Sequence, residues 1–492
     1  MSGELLHELL DAAPAGAVAI AERGRPLRYR DVTGAGASIA AWLRERGVGP
    51  GDRVLLSLTR ARALDTPSWV YGCSLAGAVF CVLHEQVVGP ALAYVLDDAA
   101  PAMVVSDNPK VLGQAVAHGV QAVGPDTALV GAPPLVRAGG GSGERPGTDP
   151  GAPVCMIYTS GSTSRPKAIV STHAQMTFVA RAIQSRLRYR PGDVVYTTQP
   201  FSFDVGLYQI FLAALCGAQV WLPGPLGAGV RILPELLESR ATVFPAVPAV
   251  AQTLAAAVAR SDVPVPVPRL RLLTNTGAAM PRGVLASLRE RLPGLRVQLM
   301  YGLTECKRVS IMPVDGDLER PGSSGLPLPG TRVTIVDAEG RPLPAGEVGE
   351  IVVSGPHVMN GYWNQEELTA DRFRPSGLRT GDFGHLDPDG YLYVEGRRDD
   401  VYKQSGFRVS ATEVEAAALE LPGVRMAVVL PPKADGGDAV LVVTGDTEPA
   451  LVRKGLAHRL EQFKVPKRCV VLDELPLNQN GKIDKKLLAT IT

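Results

Sequence analysis

Two hydrophobic periods alternate along the first third of the chain. "GASIAAWLRERG" (36–47) spaces its apolar residues as a helix does and stops on a glycine. "GDRVLLSL" (51–58), "AVFCVL" (78–83) and "PAMVVSD" (101–107) are short continuous apolar runs, the pattern of strands buried on both faces. The most apolar segment, Trp69 to Leu83, is broken by Gly72, Ser74 and Gly77. It falls short of the roughly 18–20 unbroken apolar residues of a membrane span and reads as a buried helix running into a strand. The alternation resumes at "AQVWLPG" (218–224), "ATVFPAV" (241–247) and "LRLLTNTG" (270–277). Helix-strand alternation of this kind predicts α/β architecture with parallel sheets.

From about Gly325 the texture changes to short alternating strands with turn residues, as in "TRVTIVDAEGRPL", "GEIVVSGP" and "DGYLYVEGR", predicting an antiparallel β subdomain. Past Gly396 a smaller α+β unit follows, with strands at 426–432 and 439–445 and a capping box of Ser410 and Glu413 opening a helix near Ala411. We place a domain boundary near Asp399. Between Ala138 and Pro153 lies a Gly/Pro-rich loop. No repeat of about 20–50 residues is visible.

At 492 residues the chain exceeds one ordinary domain, and 46% hydrophobic with 20% charged residues is usual for a globular protein. A net charge of +1 points to neither nucleic acid nor anionic membrane as partner. The six cysteines form no CxxC pair, so reduced core thiols in a cytoplasmic protein are expected, without zinc or disulfides. The start, "MSGELLHELLDAAP", has no basic segment and does not read as a signal peptide.

The candidate chemistry begins at "YTSGSTSRPK" (158–167), directly after the apolar run 154–157. The Walker pattern fails because Pro166 stands where its second glycine belongs. Gly227-Ala-Gly229 lacks the third glycine of a dinucleotide loop and a strand before it. Small residues, hydroxyls and Lys167 nevertheless suit an anion, and on the residues alone a phosphate loop and a flexible linker both stand.

The motif order decides. "YTSGSTSRPK" resembles the phosphate loop of the adenylate-forming enzymes. Behind it come "NTGAAM" (275–280), "YGLTE" (301–305), "GEIVVSGPHVMNGYW" (349–363), "RTGD" (379–382), "GRRDDVYKQSGFRV" (396–409) and "PLNQNGKID" (476–484), in that family's order and at similar spacings. "PLRYRDV" and "AGAVFCVL" resemble its two early structural motifs. The family includes nonribosomal peptide adenylation domains, acyl- and aryl-CoA ligases and luciferases. The implied fold is a large α/β N-terminal domain over 1–398, with two α/β subdomains plus an antiparallel β subdomain. A small mobile α+β lid over 399–492 follows, hinged at Asp399. Ser164 and Ala168 depart from glycines usual in the family, and Asn478 from its threonine.

The resemblance implies two half-reactions: a carboxylate attacks the α-phosphorus of ATP, and a thiol then attacks the resulting adenylate. Thr159, Ser160, Gly161, Ser162, Thr163 and Lys167 would hold the β- and γ-phosphates. Thr304 would bind the α-phosphate and Glu305 would bind Mg²⁺, a hard ion suited to carboxylate oxygen. Asp382 and Arg397 would hold the ribose. Tyr301 and the backbone of Thr276, Gly277 and Ala278 would flank adenine. Lys482 would bridge the substrate carboxylate and the α-phosphate as the catalytic lysine.

In the family's amino-acid-activating members an aspartate at the position of Asp204, within "PFSFDVGLYQIF", pairs with the substrate ammonium. A carboxylate facing an apolar pocket is costly unless a cation meets it. Val205, Tyr208, Ala249, Thr274, Thr276, Met300 and Arg308 would line the rest of the pocket. "YGLTECKRVS" sets Lys307 and Arg308 beside it. Arg308 could grip a second substrate carboxylate or pair internally with Asp204. This resembles stand-alone enzymes that activate β-amino acids, including aspartate-like ones, for carrier-bound starter units. An acyl-CoA ligase and a proline-type α-amino acid:carrier-protein ligase stay open. The acceptor thiol would be the phosphopantetheine of a separate carrier protein, or CoA. Nine Lys/Arg against four Asp/Glu in residues 451–492 read either as a docking face for an acidic carrier or as a solvated basic face.

Overall fold

The computed structural model describes residues 4–128, 149–159, 166–275, 277–397, 401–404, 407–432, 438–476 and 483–492. Most of the Gly/Pro-rich loop, and Ser160, Gly161, Ser162, Thr163, Thr276, Asp399 and Lys482, lie outside them.

Two mainly parallel sheets dominate the N-terminal part. The first, seven-stranded, runs Arg296–Gln298, Leu272–Asn275, Val243–Ala246, Val194–Tyr196, Gln219–Trp221, Val18–Glu22, Arg25–Arg28. The second, six-stranded, runs Gln121–Val123, Met103–Ser106, Arg53–Ser57, Val79–Val82, Pro153–Thr159, Lys167–Thr172. Each carries one antiparallel pair at its edge, Val18–Glu22 with Arg25–Arg28 and Pro153–Thr159 with Lys167–Thr172. The central strands are buried on both faces, as their continuous apolar runs predict. Trp69 belongs to the helix Thr66–Ala76, which ends at Gly77 in the left-handed conformation and feeds the strand Val79–Val82.

An eight-stranded antiparallel sheet spans residues 300–397. Beyond it, Val401–Gln404 pairs with Phe407–Ser410, and Val424–Leu430, Val440–Gly445 and Arg468–Leu472 form a three-stranded sheet. Ser410 caps the helix Ala411–Leu419 by accepting from the Glu413 amide at 3.4 Å, while the Glu413 carboxylate pairs with Lys464 at 2.7 Å. Among the described residues, the apolar clusters divide between those ending by residue 394 and those starting at Tyr402. The fold class expected from the sequence is therefore the one observed. No described helix is long and apolar enough to cross a membrane.

All six cysteines are free thiols, four of them buried, and burial pushes that of Cys155 up to about 12. Three histidines are buried as well, and two of them, His173 and His357, have shifted pKa values. His173 accepts from the Leu6 amide at 3.0 Å, and His357 stacks on Phe178 with ring centroids 5.9 Å apart. Burial lowers both imidazoles to about 4. Their native forms are neutral, so between the ordinary histidine pKa near 6.5 and about 4 the unfolded chain binds more protons than the folded one. Stability is full above that window and falls as pH drops through it. We expect the urea midpoint to decline from pH 7 to pH 4, less steeply in His173→Gln and His357→Gln; parallel curves for wild type and both variants would refute the assignment.

Candidate active site

The segment "YGLTECKR" is a hairpin loop. Met300–Tyr301 pairs antiparallel with Ser310–Ile311, and the Val309 amide donates to the Tyr301 carbonyl at 2.9 Å. Closing this loop demands two special backbones. Gly302 has no room for a side chain, since a Cβ there would stand 2.2 Å from the Lys307 carbonyl oxygen. Lys307 takes a left-handed φ of 61°, unusual for a residue with a side chain. The reversal folds Lys307 and Arg308 back under Thr304 and Glu305, and the Lys307 Nζ donates to the Thr304 carbonyl at 3.1 Å.

Around Glu305 the structure assembles a cation and a phenol. Thr159 and Lys167 face each other across the hairpin whose tip is the glycine-rich loop. The buried Lys167 ammonium lies 5.5 Å from the centre of the Tyr362 ring. Tyr362 donates its hydroxyl to Glu305 Oε1 at 2.8 Å. Burial, then the like charge of Arg372, lowers the Lys167 pKa, while Glu305 pulls the other way. The backbone after Tyr362 is stitched to the same edge strand, the Trp363 amide donating to the Ala168 carbonyl at 2.9 Å. The Met359 amide donates to the Glu305 carbonyl at 3.1 Å.

A second group lies beside it. Asp382 and Arg397 are cross-strand partners, with Nε to Oδ1 at 3.3 Å, and the Tyr301 hydroxyl donates to Asp382 at 2.5 Å. Burial raises the Asp382 pKa, and Arg397 and Tyr301 oppose it. The Asn275 side chain donates to the Ala278 carbonyl at 3.0 Å and accepts from the Met300 amide at 2.6 Å, tying the turn of Gly277 and Ala278 to Tyr301's strand. Gly277 (φ 79°) and Ala278 are exposed there.

The third group is a buried pocket. Asp204 opens the fully buried helix Asp204–Ala214, where the helix dipole favours a carboxylate. Asp204, Val205, Tyr208, Thr274, Met300 and Arg308 line one cavity with Lys307 and Asn275. Ala249, on the helix Pro248–Ala259, is outside that lining. Arg308 Nη1 lies 3.7 Å from Asp204 Oδ2 and donates to the Lys307 carbonyl at 2.7 Å. The buried Tyr208 hydroxyl has no hydrogen-bond partner among the described residues. Burial lowers the Lys307 pKa against the pull of Cys155 and Asp204.

Of the residues singled out from sequence, the structure gathers Thr159, Lys167, Thr304, Glu305, Tyr301, Asp382 and Arg397 along one side and the pocket group beside them. Sequence reasoning missed Tyr362. It stands in a quoted motif, but only the fold turns its hydroxyl onto Glu305. No described group of three His, Cys, Asp or Glu residues could hold a metal ion. Glu305 offers one carboxylate oxygen, Oε2, beyond its bond to Tyr362, which suits a hard cation completed by phosphate and water oxygens.

The model for AMP-binding enzyme matches residues 8–363, and that for the AMP-binding enzyme C-terminal domain matches 413–482. The L-proline--[L-prolyl-carrier protein] ligase of Streptomyces coelicolor is 33% identical over 94% of this chain and 92% of its own length. CymA of Salinispora arenicola, described as a nonribosomal peptide synthetase, is 34% identical over 98% of this chain, which spans 6% of that protein. A solved structure of VinN in complex with L-aspartate is 35% identical, with a TM-score of 0.71 over 80% of this chain and 99% of that one.

The pocket holds two buried cations, Lys307 and Arg308, against one buried carboxylate, Asp204. Removing the acid strands charge, whereas removing one cation relieves repulsion. Asp204→Asn should therefore destabilise the fold by about 3 kcal/mol and Arg308→Met by less than about 1. Chemical denaturation checks the order; equal losses would show that Asp204 does not balance the two cations.

Proposed function

The chain belongs to the AMP-binding enzyme family, and from that premise we propose that it activates an aspartate-like β-amino acid and passes it to a carrier protein. One observation carries the choice of substrate: the excess of buried cations over buried carboxylates around the pocket. An amino diacid would bring an ammonium for Asp204 and a second carboxylate for Arg308 and Lys307, leaving its first carboxylate to react. The Tyr208 hydroxyl is a further donor for that ligand. The likeness to VinN, solved with L-aspartate, supports the same choice.

In the first half-reaction a substrate carboxylate oxygen bonds to the α-phosphorus of ATP, and pyrophosphate leaves with the electron pair of the broken P–O bond. Thr159, Ser160, Gly161, Ser162, Thr163 and Lys167 hold the terminal phosphates, Thr304 the α-phosphate, and Asp382 and Arg397 the ribose. Tyr301 and the backbone at 276–278 flank adenine. Glu305, oriented by Tyr362, would hold Mg²⁺, which when bound supplies charge neutralisation across the phosphates. Lys482 stabilises the charge developing between carboxylate and phosphate. In the second half-reaction a thiolate sulfur attacks the acyl carbonyl and AMP leaves. The acceptor is the phosphopantetheine of a separate carrier protein. Residues 451–492 carry a basic excess suited to an acidic carrier, although Lys464 and Lys467 are already paired with Glu413 and Asp438. The lid, residues 399–492, turns about Asp399 between the two steps.

A second reading rests on the 3.7 Å approach of Arg308 to Asp204. If that pair persists with substrate bound, the pocket takes a monocarboxylic amino acid, as the prolyl-carrier relative does, or a plain acid thioesterified with CoA.

Pyrophosphate exchange across aspartate, 3-amino diacids, proline and unsubstituted acids separates these readings. We expect diacids to lead, and Arg308→Met to erase their advantage by about tenfold or more. Proline or an unsubstituted acid leading in wild type would overturn the diacid assignment. Lys482→Ala should slow adenylate formation about 10²- to 10³-fold, and an undiminished rate would remove its catalytic role. Asp399→Pro should keep exchange and lose thioester formation; equal loss of both would end the turning-lid proposal.

A further inference from the structure

Arg372, Arg374 and Arg379 lie within eight residues of one another, and two have ordinary partners. Arg374 pairs with Asp371 at 3.2 Å and Arg379 with Glu350. Arg372 pairs with no carboxylate among the described residues. Among the described residues its one hydrogen bond is a long contact of 3.4 Å from Nη1 to the Arg379 carbonyl.

The surrounding backbone holds this side chain inward. Gly381, just before Asp382, has a φ of 76°, and a Cβ there would lie 2.5 Å from Arg372 Nη1. The next residue, Phe373, meets the Tyr362 ring edge-on at 5.6 Å. The guanidinium therefore lies over the turn that bears Asp382, on the side of the site where Tyr362 carries Lys167 on its face and Glu305 on its hydroxyl. Its charge is felt by both Lys167 and Tyr362. Two cations thus converge where the nearby acid, Glu305, is already engaged, an arrangement that repels itself until a polyanion enters.

We propose that Arg372 is a phosphate-binding residue that contacts the terminal phosphates of the nucleotide, and the pyrophosphate they become, together with Lys167. The inference rests on the reading that this site takes ATP. A guanidinium offers paired N–H donors matched to phosphate oxygens, and its fixed charge stabilises pyrophosphate as a leaving group.

Calorimetric titration of the full chain with MgATP, pyrophosphate and AMP tests it, since AMP lacks the phosphates in question. Arg372→Ala and Arg372→Gln should weaken MgATP and pyrophosphate about tenfold or more while AMP stays within about twofold, and Arg372→Lys should fall between. An equal loss of AMP, or unchanged MgATP affinity in all three variants, would overturn the proposal. Should Arg372→Ala not fold, Arg372→Gln carries the same comparison, with its AMP binding as the check on folding. Wild-type protein that bound AMP but not MgATP would remove the ATP reading and the inference with it, whereas normal wild-type binding beside unaffected variants removes the inference alone.

Discussion

Like charges held close together in a half-dry cleft are the constraint on which this molecule is built. Lys167 and Arg372 crowd one end of the site, and Lys307 and Arg308 crowd the other. Glu305 lies beside the first pair and Asp204 beside the second, and both acids act on Lys307. Such groupings persist only where the fold overdetermines them. Here the means are a hairpin loop with a left-handed lysine, a glycine turn that admits a guanidinium, and a buried helix that opens on a carboxylate. The native state carries this repulsion, which an anionic ligand would relieve.

Three sheets share the work of holding these charges. The edge hairpin of the six-stranded sheet brings Thr159 and Lys167. Asn275, at the end of a strand of the seven-stranded sheet, organises the turn at 277–278 and the first strand of the antiparallel sheet. That antiparallel sheet brings Asp382 and Arg397 into register. Catalytic groups placed at strand ends and on loops between packed layers are the general arrangement of α/β enzymes.

Much of this was legible in the residues. Continuous apolar runs such as "AVFCVL" marked strands buried on both faces, and the change to alternating strands near Gly325 marked the antiparallel layer, because each pattern follows from how many faces of a strand are covered. Of the pocket residues carried over from the family resemblance, Val205, Tyr208, Thr274, Met300 and Arg308 share one cavity with Asp204, and Ala249 does not line it. What could not be read was any contact made across the chain. Tyr362 and Glu305 are 57 residues apart, and no local periodicity brings a phenol to a carboxylate over that distance. Arg372 sits in a charged stretch where solvated arginines are the rule, and only the lack of a carboxylate partner for it among the described residues sets it apart. The glycine-rich loop tip, Thr276, Asp399 and Lys482 were named from motif and fall outside the described residues.

Asp98 joins two parts of the fold. Its carboxylate accepts from the Tyr158 hydroxyl at 2.7 Å, and its carbonyl accepts from the Trp363 indole at 2.9 Å and from Asn364 at 3.1 Å. Tyr362, next to that indole, bridges to Ile169. One helix terminus thus rivets the six-stranded layer to the chain running through the antiparallel one, and Trp363 packs into the six-stranded layer's own apolar cluster. Mild heat or denaturant that frees this rivet would loosen Tyr362 from Glu305 while the sheets stay folded, so catalytic competence would fade before bulk secondary structure does.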